Sequence, residues 1–175
     1  MIYFDHNATT PIDDRVLQAM LPFLSGLYGN PSSLYKLARI SRSAIDTARE
    51  QVAQLVNVRP ELVVFTSGGT EANNLVLKGG LPNTKILVSE FEHPSILASC
   101  QAELAAIDKQ GYIDQYALGQ LNTQVDLASF MLVNNETGVI QDIAALSAIM
   151  KAQGALVHTD AVQAAGKIAV DFQAL

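Results

Sequence analysis

The sequence predicts an α/β fold, a mostly parallel sheet with helices on both faces, and three observations predict it. Four short runs, at 62–66, 85–89, 128–133 and 155–159, are apolar without alternation, the composition of strands buried on both faces. Segments of helical period separate them, and that alternation is the signature of strand–helix–strand units. Each apolar run also ends in a polar cluster, where an open parallel sheet presents its ligand crevice.

Taken in order, residues 1–10 run from a short apolar stretch into Asp5-His6-Asn7-Ala8-Thr9-Thr10-Pro11, too polar and turn-prone for a core element. Asp13-Asp14 then opens a helix with Val16, Leu17, Met20 and Leu21 at helical spacing. Gly29-Asn30-Pro31-Ser32-Ser33 is a loop that caps a long helix over 33–57, with Leu34, Leu37, Ile40, Ala44, Ala48, Val52 and Leu55 on one face. The strand at 62–66 breaks at Ser67-Gly68-Gly69-Thr70 into a helix over 70–78. Two glycines at such a junction let a ligand approach the backbone, and the helix start offers free N–H groups and the positive end of a dipole to a phosphate. The strand at 85–89 leads through Glu92-His93-Pro94 to a helix over 95–107. The strand at 128–133 ends in Asn134-Asn135-Glu136-Thr137-Gly138 before a helix over 142–153, and the strand at 155–159 ends in Asp160-Ala161-Val162-Gln163.

Composition narrows the classes of function. The 175 residues are 49% hydrophobic and 16% charged, a globular composition long enough for one domain with a substantial core. A net charge of −6 without a basic cluster leaves no electrostatic footprint for nucleic acid. The N-terminus lacks the layout of a signal peptide, and no apolar run reaches the length of a membrane span. One cysteine, Cys100, rules out an internal disulfide framework and fits a reducing compartment, so the expected location is cytoplasmic.

The strand ends together make a ring: Ser67 to Thr70, Glu92-His93, Asn134-Asn135, then Asp160 and Gln163. It holds an anion cradle, an imidazole, amides and a carboxylate. A nucleotide site is disfavoured, since Ser67-Gly68-Gly69-Thr70 has neither the Gly-x-Gly-x-x-Gly spacing nor the Gly-Lys-Ser/Thr end of a P-loop. His158 and Asp160 share a strand face, but without a third ligand at suitable spacing they do not make a metal site. Cys100, placed in the helix over 95–107 away from any strand end, reads as a small structural thiol.

Six stretches, in order and almost end to end, carry a family resemblance: Tyr3 to Pro11, Gly29 to Ser33, Phe65 to Asn74, Glu92 to Ser95, Asn134 to Ile140, and His158 to Gly166. With them the chain resembles the N-terminal part of the cysteine desulfurases, pyridoxal-phosphate-dependent enzymes of the aminotransferase class V group. The resemblance implies a partial large domain of a fold-type I pyridoxal-phosphate enzyme, with residues 1–13 as an N-terminal arm and 14–175 as an incomplete cofactor-binding domain. It assigns Gly69 and Thr70 to the phosphate of pyridoxal 5'-phosphate, and His93 to stacking on the ring and to proton transfer. Asp160 would pair with the ring nitrogen, Gln163 with the ring hydroxyl, and Asn134 would lie over the cofactor near the substrate carboxylate. The implied reaction converts L-cysteine to L-alanine and an enzyme persulfide, whose sulfur passes to an acceptor such as an iron–sulfur scaffold; family members are usually homodimers.

Two departures qualify the likeness. Tyr35 stands where the family often has histidine. The family's Schiff-base lysine, in a Ser-x-His-Lys motif, the loop with the persulfide cysteine and the arginine for the substrate carboxylate have no counterpart here. None of Lys36, Lys78, Lys85, Lys109, Lys151 and Lys167 has that context, so the chain is expected to be truncated before the Schiff-base lysine and inactive alone. A selenocysteine lyase-like enzyme and a non-catalytic truncated binding module are the alternatives.

Overall fold

The computed structural model describes residues 2–79 and 83–175. The chain forms two compact units that divide between Val63 and Val64. In the first unit, helix α1 (Asp14–Ser25) starts where Asp13 accepts a hydrogen bond from the Arg15 backbone N–H at 2.9 Å. The side-chain bond to Arg15 holds the Asp13 carboxyl below its ordinary range. Helix α2 (Lys36–Leu55) is shorter than the helix expected over 33–57, and it buries Ala38, Ser41 and Ala53 rather than the expected face, of which Leu34, Ile40, Val52 and Leu55 are exposed. A 3-10 turn at Pro60–Leu62 follows, and the Arg49 guanidinium donates to the Val63 carbonyl at 3.3 Å.

The second unit is built on four strands, β1 (Ile86–Ser89), β2 (Glu103–Ala105), β3 (Leu127–Ser129) and β4 (Leu156–His158). All pair in parallel, in the order β2-β1-β3-β4. Helix α3 (Gly69–Lys78) and the single turn α4 (Pro94–Leu97) pack together, as do α5 (Gln115–Gly119) and α6 (Ile143–Ala152). Leu77 of α3 and Ile96 of α4 join Ile86, Val88 and Leu127 in one apolar cluster. The pleat turns Leu87 and Ala128 to the opposite face, and both are fully buried. Helix α6 covers β4 and buries Ile143, Leu146 and Met150. The non-alternating strands therefore mean what they promised, a parallel sheet closed by helices.

Chain order places the crevice. From β1 the chain crosses to β2 on one side and then to β3 on the other, so the order of strands reverses between β1 and β3. Ligands in open α/β sheets bind at such a switch point, beyond the carboxyl ends of the strands.

Two predicted elements take other forms. Residues 63–66 form no strand, and Val64 is 71% exposed. A strand exists by pairing, and none of the four described strands runs beside this segment. The helix expected over 95–107 ends at Leu97, and Glu103–Ala105 becomes β2, paired with Leu87 to Ser89 of β1. The Ser99 hydroxyl bonds to the Ser95 carbonyl and to Asn74 Oδ1, which competes with helix continuation. Cys100 consequently lies past the helix, half-buried against the apolar cluster around Ile96.

Candidate active site

The residues that follow β1, β3 and β4 are tied to one another across the switch point. Glu92, after β1, is buried, and its Oε1 accepts from the Ser89 hydroxyl and from the Met131 N–H, both at 2.7 Å. Asn134, after β3, donates from Nδ2 to the Phe91 carbonyl at 2.8 Å. Its Oδ1 accepts from Glu136 N, Thr137 N and Thr137 Oγ1, which folds 134–138 into a tight turn closed by the Gly138 N–H on the Asn134 carbonyl. Asn134 thereby fastens its own loop to the loop that carries His93.

Asp160 lies at the end of β4, where its carbonyl accepts from the Leu132 N–H and so continues the strand ladder. Its side chain is buried, with Oδ1 accepting from Val162 N at 3.0 Å and Oδ2 from Asn73 Nδ2 at 2.8 Å. Each oxygen keeps a lone pair for one further donor. His93 is exposed and caps α4: its Nδ1 accepts from Ser95 N at 3.0 Å and lies 2.7 Å from Ser95 Oγ.

The start of α3 comes to the same place. Gly68, its N-cap, supplies no side-chain hydrogen bond to the first turn. A Cβ on Gly69 would lie 3.0 Å from Val162 Cγ2, so α3 begins close against the loop after Asp160. Thr70 is exposed, and its carbonyl accepts from Asn74 Nδ2 at 2.8 Å. Glu71 turns back to accept from Ser67 N at 2.6 Å, which holds the entering loop. Gln163 is half-buried, and its Oε1 accepts from Lys167 Nζ.

Electrostatics separate three titratable groups. Burial, with Asp160 nearby adding to it, pushes the Glu92 carboxyl up to about 7 against the weaker pull of its Ser89 and Met131 bonds. Its Oε2 is buried without a hydrogen-bond partner among the described residues, tolerable for a neutral acid and costly for a carboxylate. Burial likewise lowers His158, opposed by Asp160, and its Nδ1 lies 2.9 Å from Ser129 Oγ. Burial pushes the Cys100 thiol up, away from a reactive thiolate.

Sequence reasoning missed Asn73, Ser95 and the buried state of Glu92. Asn73 had a signal: with Gly69 and Leu77 it forms an i, i+4, i+8 series, so an amide stood at a core position and needed polar partners. An open groove lined by Pro31, Ser33, Arg39 and Glu50, all in the first unit, includes none of these residues.

The aminotransferase class-V family model matches residues 2–175. The chain belongs to the aminotransferase class-V family. Among this family's curated members, the cysteine desulfurase IscS of Methylobacillus flagellatus is 39% identical over 99% of this chain and 47% of its own length. The cysteine desulfurase of Sinorhizobium fredii is 40% identical, over 98% of this chain and 48% of its own. The mitochondrial cysteine desulfurase of Drosophila melanogaster is 38% identical, over 99% and 41%. This class-V chain thus spans about half the length of the curated relatives it matches. A solved NifS-like protein superposes with a TM-score of 0.91 at 32% identity, over 98% of this chain and 52% of the other. The structure described as SspA in complex with cysteine gives 0.90 at 28% identity, over 98% and 54%.

Proposed function

We propose that this chain forms the cofactor-cradling part of a pyridoxal-phosphate-dependent cysteine desulfurase. The observation that carries the reading is Asp160: a buried carboxylate at the switch-point end of β4, held by one N–H on each oxygen and open to one more. That donor set fits a protonated ring nitrogen. The uncapped start of α3 at Gly69 fits a phosphate, and the exposed imidazole of His93 fits a ring face.

When bound, pyridoxal phosphate supplies an electron sink for bond breaking at the substrate's α- and β-carbons. Gly69 and Thr70 bind the phosphate through first-turn N–H groups and the Thr70 hydroxyl. Asp160 keeps the ring nitrogen protonated by accepting its hydrogen, which the buried site makes stronger than it would be in water. His93 covers the ring and moves protons through Nε2, since Ser95 occupies Nδ1. Gln163 binds the ring hydroxyl. Asn134 lies over the cofactor near the substrate carboxylate, and its contacts to Phe91, Met131 and Thr137 hold the loop in place. The substrate is L-cysteine and the products are L-alanine and a persulfide on an enzyme thiol. That thiol is not Cys100, whose sulfur packs 3.9 Å from the Ile96 carbonyl with its acidity suppressed. The sulfur then passes to an acceptor such as an iron–sulfur scaffold, from a cytoplasmic homodimer.

The test has two arms. In the full-length protein, Asp160→Ala should abolish sulfide and alanine release from L-cysteine while leaving the circular dichroism spectrum unchanged; near-normal turnover with cofactor bound sinks the assignment. For these 175 residues alone, incubation with pyridoxal phosphate followed by borohydride should label no single lysine stoichiometrically. Stoichiometric labelling together with sulfide release would show that the residues here suffice for catalysis.

A further inference from the structure

A continuous line of hydrogen bonds runs beneath the candidate site. Asp160 Oδ2 accepts from Asn73 Nδ2 at 2.8 Å, the same Nδ2 donates to Ser95 Oγ at 3.0 Å, and Ser95 Oγ lies 2.7 Å from His93 Nδ1. Asn73 is 4% exposed and Asp160 7%, so their pairing is shielded from water, and the bond from Asn73 to Ser95 is part-buried. The direction of each bond follows from what the groups can do. An amide NH2 has two hydrogens and no lone pair to offer, so Asp160 and Ser95 both accept from it. Because the Ser95 backbone N–H makes His93 Nδ1 an acceptor, the Ser95 hydroxyl directs its own hydrogen to that nitrogen. The Ser95 backbone N–H points at the same nitrogen, at 3.0 Å. Nδ1 is thus an acceptor twice over, and the hydrogen of the neutral ring sits on Nε2.

We propose that Asn73 is a positioning residue whose single amide group sets both Asp160 and, through Ser95, His93. This rests on the cofactor reading above for what the two groups face, but the coupling itself is a property of this chain alone. One amide on α3 then aligns the carboxylate under the ring nitrogen with the imidazole on the ring face. Asp160 cannot turn without breaking a buried hydrogen bond, which costs more than the same bond in water, and His93 cannot turn without leaving the Ser95 hydroxyl that Asn73 holds. Asn73 touches no reacting atom in this arrangement, and its effect is transmitted entirely through its two acceptors.

The experiment uses the 175-residue chain, isotope-labelled, without and with pyridoxal phosphate. Without cofactor, Asn73→Leu and Ser95→Ala should each displace the His93 ring resonances, and the double variant should displace them no further, the non-additivity expected of one chain of contacts. Independent, additive shifts, or none, overturn the proposal. If Asn73→Leu does not fold, the wild-type Asn73 side-chain protons decide: Asp160→Asn should move one of the pair and Ser95→Ala the other, and both staying in place overturns it. With cofactor, Asn73→Leu should weaken pyridoxal phosphate about tenfold, the loss of one charge-assisted hydrogen bond. It should weaken the deaza analogue that lacks the ring nitrogen clearly less, through His93 alone; equal losses for both compounds mean a packing role only. If the wild-type chain binds neither compound, the cofactor reading fails for these residues while the resonance arm still decides the coupling.

Discussion

Glu92 shows how one buried atom sets a property that can be measured. Its carboxyl is pushed up to about 7 from an ordinary 4.5, chiefly by burial. The folded state therefore keeps its proton at a pH where the unfolded state has lost it. Stability should fall as pH rises from about 4.5 to about 7 and level off above, a total of about 3 kcal/mol from this group. Glu92→Gln mimics the neutral acid and leaves an acceptor for Ser89 and Met131, so it should flatten that slope and gain stability at pH 8 relative to pH 5. Urea titrations at the two pH values check this; parallel losses in both proteins would mean that Glu92 titrates normally. His158 works in the opposite sense. Its lowered affinity for a proton in the folded state removes stability as pH falls below its ordinary value. At this scale the residue types were legible from their positions after apolar runs. It could not show which were buried, because burial of Glu92 and Asp160 depends on loops brought together from three strands.

Elements were legible where local pattern and tertiary pairing agree. The helix expected over 70–78 is α3, and it starts at the Gly68-Gly69 junction where glycine chemistry put it. The stretch 95–107 has helix-compatible composition throughout, yet the edge of β1 captures 103–105 as a strand, a long-range choice that no window of that length contains. At 62–66 the reverse happens, and a β-rich run forms no strand because a strand needs a neighbour. The start of α3 gives a prediction that separates stability from binding. In Gly69→Ala the new methyl meets only Val162 Cγ2 at 3.0 Å, the tip of an exposed side chain that can yield. The melting temperature should accordingly move little. If the phosphate seats on the first-turn N–H groups as proposed, a methyl beside them should lower affinity for pyridoxal phosphate about tenfold, or about 1.4 kcal/mol. Calorimetry and a fluorescence titration on the same samples check the pair, and a large thermal loss with unchanged affinity would place the phosphate elsewhere.

For the second unit as a whole, the parallel order β2-β1-β3-β4 leaves β2 and β4 with one side each unpaired among the described strands. Burial follows that arrangement. Ile86 to Ser89 and Leu127 to Ser129 are buried throughout, whereas Leu104 of β2 is 55% exposed and Leu156 of β4 74%. A strand edge carrying exposed leucine offers both backbone groups and apolar area to another chain. The 175 residues in isolation should therefore self-associate increasingly with concentration, and the association should pass through these edges. Leu156→Lys places a charge on the edge without touching the buried central strands, so it should suppress association and leave the melting temperature within a few degrees. Light scattering over a concentration series, on the wild-type chain and the variant, makes the comparison. Equal association in both would move the contact away from β4, and a strictly monomeric wild type would show that its side chains already protect the edge.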